Sequence, residues 1–235
     1  MTQIDLPELE ERPLDFTPDS VVRGDGDAAP VSFLEGRIRL GGPQCVPITP
    51  AYVRDDDGLR IFVEQEASRF AYHLVHLSIT FAAEPERPRL ERATVELVLT
   101  ANGAAPPTAW SMKPESVVDP STVKTTLTFA PTLKLSLAET EVEAEIGSIS
   151  REREHTTDEP YLIAENSMRA DPRWRFRRTR TMPLRGSQRL NLVVRAPWQV
   201  DATVKGRVTG STLHHTFLRP EHADLPWPLT FRAEF

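Results

Sequence analysis

The chain has 235 residues, 39 % hydrophobic and 26 % charged, enough to bury a core as one large all-β domain or two smaller ones. Its net charge of −6 argues against bulk attraction to nucleic acid. The single cysteine, Cys45, excludes an internal disulfide and any multi-cysteine metal site, and no run approaches the roughly 18 apolar residues of a transmembrane helix.

The first residues, MTQIDLPELEERPLDF, lack the apolar core and positive flank of a signal peptide. There is no N-x-[ST] acceptor, since Met168 stands where Asn166 would need a hydroxyl. Both features lead to the expectation of a cytoplasmic protein. Arginine outnumbers lysine 24 to 4, usage that fits GC-rich coding and a bacterial source. The 21 prolines are spread along the chain and favour short strands separated by loops over long helices.

Residues 1–30 hold eight acids, two arginines and four prolines, with Ile4, Leu6, Leu9, Leu14 and Phe16 among them. They read as an acidic N-terminal arm, either disordered or a strap that docks its apolar residues, ahead of a domain spanning 31–235. Asp57-Gly58 lies between two β-like runs, 51–54 and 59–63, and predicts a tight hairpin. The cluster Asp55, Asp56 and Asp57 lacks the spacing of a calcium loop.

Residues 67–81 mix two periods, but Val75, Ile79 and Thr80 favour a strand with Ala71, Val75, Leu77, Ile79 and Phe81 on one face. A strand over 90–100 follows, with Ala93, Val95, Leu97 and Leu99 inward and a turn at Asn102-Gly103.

The clearest stretch is 123–137. Val123, Leu127, Phe129, Leu133, Leu135 and Leu137 occupy odd positions; Lys124, Thr126, Thr128, Thr132, Lys134 and Ser136 occupy even ones. On a strand this puts every large apolar group on one side. Fully extended, the stretch would span roughly 50 Å, so a strand bent at Pro131 is expected, one face on the core and one in water. The apolar phase then switches to Val142, Ala144 and Ile146, which places a hairpin reversal at 138–140. Later strands are predicted at 161–165, 173–179, 189–195, 200–208, 212–218 and 229–235. The expected core includes Leu97, Leu99, Leu127, Phe129, Leu133, Leu135, Trp174, Phe176, Leu192 and Val204.

The sum is about ten strands and little helix. Clean one-sided alternation is the mark of antiparallel sheets with one wet face, so the predicted fold is an all-β, two-sheet antiparallel sandwich.

Charge is segregated. Residues 139–159 carry eight acids, whereas 169–195 carry nine arginines and the single acid Asp171. Arg173, Arg175 and Arg177 share one strand face, with Trp174 and Phe176 on the other. One reading pairs these arginines across a sheet with Glu141, Glu143 and Glu145, at roughly 0.2–1 kcal/mol per pair. The other leaves Arg173, Arg175, Arg177 and Arg180 as a partner-binding ladder for an anion or an acidic protein segment, such as residues 1–30 of another copy.

Of the six histidines, His73 and His76 point to opposite strand faces, as do His214 and His215, and His222 with Glu221 forms no recognisable ligand pattern. No metal or cofactor is expected. There is no G-x-S-x-G elbow, and Cys45 lacks an activating neighbour. The composite expectation is a non-enzymatic cytoplasmic protein-interaction or assembly module, binding a protein partner or itself, with no nucleic acid and no membrane. A carbohydrate- or small-ligand-binding sandwich, using Trp110, Trp174, Trp198 or Trp227, comes second. A hydrolase with a dispersed carboxylate site comes third.

Overall fold

A computed structural model describes residues 9–18, 32–49, 57–84, 86–103, 105–129, 132–137, 140–145, 149–214, 217–225 and 228–234. The chain divides into two units. One comprises Met1–Val117 and Pro160–Phe235; the other is Val118–Glu159.

In the first unit, strand formation follows the predicted alternation over Arg89–Ala101, Arg173–Arg177 and Gly186–Pro197. The elements in chain order are β1 (Glu11–Pro13), β2 (Thr17–Pro18), β3 (Ile38–Pro47), helix α1 (Asp57–Glu66), β4 (Phe70–Phe81), β5 (Arg89–Ala101) and β6 (Thr108–Lys113). Next come β7 (Ser116–Phe129), β8 (Thr132–Leu137), β9 (Thr140–Glu145) and β10 (Ile149–Glu165). The last are β11 (Arg173–Arg177), β12 (Gly186–Pro197), β13 (Asp201–His214), β14 (Phe217–Asp224) and β15 (Leu229–Arg232).

A 5-stranded antiparallel sheet runs in the order β1-β3-β4-β12-β6. An 8-stranded sheet runs β2-β14-β13-β5-β11-β10-β7, with β15 also on β13. The protein is an all-β, two-sheet antiparallel sandwich, as its alternation predicts.

Both sheets feed one apolar core. Val75, Leu77 and Ile79 enter it from the first sheet; Leu97, Leu99, Trp174, Phe176 and Val204 enter from the second. Phe176 meets Phe81 edge-on across the layer, ring centroids 5.2 Å apart. Each fully buried large side chain of this kind contributes roughly 1.5–3 kcal/mol. Gly210 is small because Leu34 lies directly over it, where a Cβ would collide.

The first described residues join both sheets. β1 pairs with β3, and β2 with β14. Between them Leu14 and Phe16 are buried in the core, and the Leu14 amide donates to Ile38 O at 3.2 Å. The Glu11 carboxylate accepts hydrogen bonds from Thr80 Oγ1 at 2.7 Å and Ser78 Oγ at 3.1 Å.

Several expectations need correction. Asp57-Gly58 opens helix α1 rather than turning a hairpin. Leu59, Phe62, Val63 and Glu66 recur at helical spacing, and Arg60 pairs with Glu64 one turn on at 3.3 Å, so i,i+4 support outweighed the turn signal. The run 212–218 is not one strand: β13 ends at His214 and β14 begins at Phe217, and the two pair antiparallel. The bent strand over 123–137 is two strands, β7 and β8. Of the expected core, Leu97, Leu99, Trp174, Phe176, Leu192 and Val204 are buried. The side chains of Leu127, Phe129, Leu133 and Leu135 lie outside the described residues.

Candidate functional site

The outer face of the 8-stranded sheet is built from the even residues of β5 between Arg92 and Thr100 and the odd residues of β11, because Ala93, Val95, Leu97 and Leu99 on the first and Trp174 and Phe176 on the second are buried. Register lines these residues up in rows. One row crosses five strands as Glu165, Arg173, Glu96, Arg207 and Asp224, acid and base alternating. Arg173 Nε lies 2.7 Å from Glu165 Oε2, Arg175 Nη1 lies 2.8 Å from Glu165 Oε1, and Arg207 Nε lies 2.7 Å from Asp224 Oδ1. Burial disfavours ionisation of Glu165, but the Arg173 hydrogen bond and the charges of Arg175 and Arg173 outweigh it and hold its pKa below the ordinary value. The hydrogen bond from Arg207 lowers the pKa of Asp224 likewise.

The next two rows differ. Arg175 is followed by Thr94, Thr209 and His222; Arg177 is followed by Arg92, Ser211 and Pro220. Neither row holds an acid. Arg177 and Arg92 stand directly opposite each other, both exposed. Beyond the compensated row, Val98, Lys205, Gly206, Leu225 and Pro228 join Glu96, Arg207 and Asp224 around a cleft of about 470 Å³.

The expected pairing of Arg173, Arg175 and Arg177 with Glu141, Glu143 and Glu145 does not occur among the described pairings. β9 carries those glutamates and pairs with β8, two residues away along the chain, whereas β11 lies between β5 and β10. A hairpin neighbour forms with little loop-closure cost, so it took the place assigned to a distant strand. Arg173 and Arg175 pair instead with Glu165, which sequence reading missed because cross-strand partners depend on topology. Arg180 is exposed beyond the end of β11 and has an interaction of its own.

Within the second unit, β8 and β9 form a two-stranded hairpin. Leu133 stands opposite Ala144 and Leu135 opposite Val142; Thr132 stands opposite Glu145, Lys134 opposite Glu143 and Ser136 opposite Glu141. Directly opposed residues share a face. Leucine therefore stands opposite an uncharged residue at each of its three positions, Leu137 meeting Thr140, and every charged residue stands opposite a polar or charged one. The predicted reversal at 138–140 agrees with the Leu137–Thr140 pairing.

On the outer side of the 5-stranded sheet, Ile48, Tyr72 and Leu74 form a small cluster with Phe70, Trp110 and Val193. Trp110 packs edge-on against Tyr72, ring centroids 5.9 Å apart, and Trp198 packs beside a separate alanine-lined cluster. Trp174 is fully buried, its indole N–H donating to Pro114 O at 3.2 Å, so it offers no ligand-stacking face. Trp227 lies outside the described residues. Cys45 is packed against the core, and burial pushes its thiol pKa up to about 12, the opposite of an activated nucleophile. Among the described residues, no three His, Cys, Asp or Glu side chains gather as a metal site, and no helix is long and apolar enough to cross a membrane.

No family pattern and no curated protein matches the chain. Solved structures do. The Clostridium perfringens NetB toxin in its membrane-inserted form is 9 % identical, with a TM-score of 0.35 over 96 % of this chain and 94 % of that one. A pore-forming protein is 9 % identical, with a TM-score of 0.32 over 70 % of this chain and 79 % of that one. The delta-toxin of Clostridium perfringens is 10 % identical, with a TM-score of 0.28 over 83 % of this chain and 88 % of that one. The expectation of a cytoplasmic assembly module with a protein partner and no membrane contact runs against these neighbours, among them a toxin in its membrane-inserted form and a pore-forming protein, and is withdrawn. The likenesses are low, and the functional reading that follows rests on this chain's own residues.

Proposed function

We propose that the chain is membrane-active, and that the hairpin of the second unit enters a lipid bilayer as one repeat of an oligomeric β-barrel. The observation that carries this is the β8–β9 register, which gathers Leu133, Leu135, Leu137, Val142 and Ala144 with the uncharged Thr140 on one face and every charged residue on the other. A strand that spans a bilayer as part of a barrel alternates in this way, apolar toward lipid and polar toward the lumen.

Length fits as well. In sequence, the face that begins with Leu133 and Leu135 runs from Leu127 through Leu137, and then from Thr140 through Val142, Ala144 and Ile146 to Ser150, without a charge. Charges return to that face at Glu152. β8 and β9 have six residues each as folded, and the stretches of sequence over which this face stays uncharged, 127–137 and 140–150, supply the roughly 9–11 residues that a tilted strand needs to cross a bilayer when each leg lengthens on insertion. The opposite face carries Lys134, Glu141, Glu143 and Glu145, which require water.

One hairpin cannot span alone, because its two edges would leave backbone groups unpaired in hydrocarbon at several kcal/mol each. Closure by further copies removes the edges. Such an activity requires no catalytic group.

Release of a trapped dye from phospholipid vesicles tests this. The wild-type chain releases dye, and Leu135→Asp abolishes release without lowering the melting temperature. Release undiminished by Leu135→Asp, or no release by the wild type from vesicles of any composition, overturns the proposal.

A further inference from the structure

We infer that Arg92, Arg175 and Arg177 form a binding site for the phosphate groups of anionic lipid headgroups at a bilayer surface. The inference rests on the membrane-active reading but concerns a different part of the chain.

The starting point is an imbalance on one sheet face. The row Glu165, Arg173, Glu96, Arg207 and Asp224 matches each cation to an acid. The adjacent rows carry Arg175, Arg177, Arg92 and His222 with no acid among them. Register puts Arg177 and Arg92 directly opposite on neighbouring strands. At that position Cβ atoms lie about 5 Å apart, and like charges repel. The repulsion would vanish with either residue neutral, yet both are arginine and both are exposed.

Chemistry narrows the ligand. A guanidinium offers paired N–H donors that match two oxygens of a phosphate, and two opposed guanidinium groups can share one phosphate between them. Thr94, Thr209 and Ser211 lie in the same rows, half-buried, and add hydroxyl donors. Arg175 is bound to Glu165 through Nη1 but is 57 % exposed, so part of its fork still faces solvent. Arg92, Arg175 and Arg177 are all exposed on the outside of the sheet, where headgroups of a bilayer surface can reach them together. The chain as a whole is acidic, at −6, so attraction to an anionic surface has to come from a local patch such as this one.

The test is co-sedimentation with phosphatidylcholine vesicles with and without phosphatidylserine, at low and at physiological salt. Two double variants are compared: Arg92→Gln with Arg177→Gln, and Arg185→Gln with Arg189→Gln, which removes the same charge from exposed positions elsewhere. Each arginine at a surface of this kind is worth about fivefold in partitioning, so the first double variant should bind serine-containing vesicles roughly twentyfold more weakly. The second should bind like wild type.

Equal losses in both variants would reduce the effect to bulk charge and overturn the site. Inorganic phosphate that raises the melting temperature of wild type but not of the first variant, with no difference between them on vesicles, would assign the arginines to a soluble phosphate and overturn the lipid assignment. Vesicle binding is read separately from dye release. Binding lost with Arg92 and Arg177 in a chain that never releases dye would keep this site and sink the hairpin proposal; release with unaltered binding would do the reverse.

Discussion

Arg195 grips Glu66 with two parallel hydrogen bonds, Nε to Oε2 at 2.8 Å and Nη2 to Oε1 at 2.9 Å. The same guanidinium lies 3.5 Å from the centre of the Phe70 ring, and Tyr72 donates to Glu66 Oε2 at 2.6 Å. The pair ties the end of α1 to β12. A planar fork over a ring is a geometry that an ammonium cannot copy. Arg195→Lys should therefore destabilise the protein by about 1.5–3 kcal/mol in a urea titration, the usual worth of hydrogen bonds to a charged group. Arg189→Lys should change nothing measurable.

Acid should weaken the fold through two groups. The Arg195 hydrogen bond holds the Glu66 pKa below its ordinary value, so its contribution is complete above the carboxylate range and lost as pH falls through the folded pKa. His73 acts earlier. It is 3 % exposed, stacked against Phe231 at 4.5 Å between ring centroids, and burial lowers its pKa to about 4. The unfolded chain takes up that proton near pH 6.5, so stability is intact above pH 6.5 and declines by about 3 kcal/mol toward pH 4. His73→Phe should flatten stability between those two values. An unchanged slope would show that another group titrates there.

Trp174 is the deepest test of the core. It is fully buried between β5 and β10, and Trp174→Ala should cost about 3–5 kcal/mol. Arg175 and Arg177, its immediate outward neighbours on β11, should each tolerate glutamine within about 0.5 kcal/mol.

The sandwich was legible because β5, β11 and β12 are buried on one face only, so period two is written in their residues. β4 was harder. Tyr72, His73, Leu74, Val75 and His76 are all buried, with Ile48, Trp110 and Val193 packed around Tyr72 and Leu74 on the outer side, and no alternation survives there. Its β-branched residues still identified it as a strand. Helix α1 was missed because Asp57-Gly58 satisfies the local rule for a hairpin, and only the spacing of the residues after it argues otherwise.

The charged face was half legible. Alternation alone put Arg173, Arg175 and Arg177 on one side. Their partner Glu165 and the opposed Arg92 are contributed by strands that only the topology brings alongside. The pattern over 123–137 was legible as amphipathic, yet alternation looks the same whether the apolar face meets a protein core or lipid. Composition and charge favoured the core, and with it a cytoplasmic role; the β8–β9 pairing shows a polar face continuous across both strands of the hairpin, with three glutamates on it.

The most direct test of the membrane-active reading is a scan of the hairpin with an environment-sensitive dye. Single cysteines replace Thr132, Leu133, Lys134, Leu135, Ser136 and Leu137 in turn, in a Cys45→Ser background, and each labelled chain is mixed with phospholipid vesicles. Emission should shift to the blue and brighten at positions 133, 135 and 137, and stay unchanged at 132, 134 and 136. A profile with no period of two, or no response at any position, would contradict insertion of the hairpin into lipid.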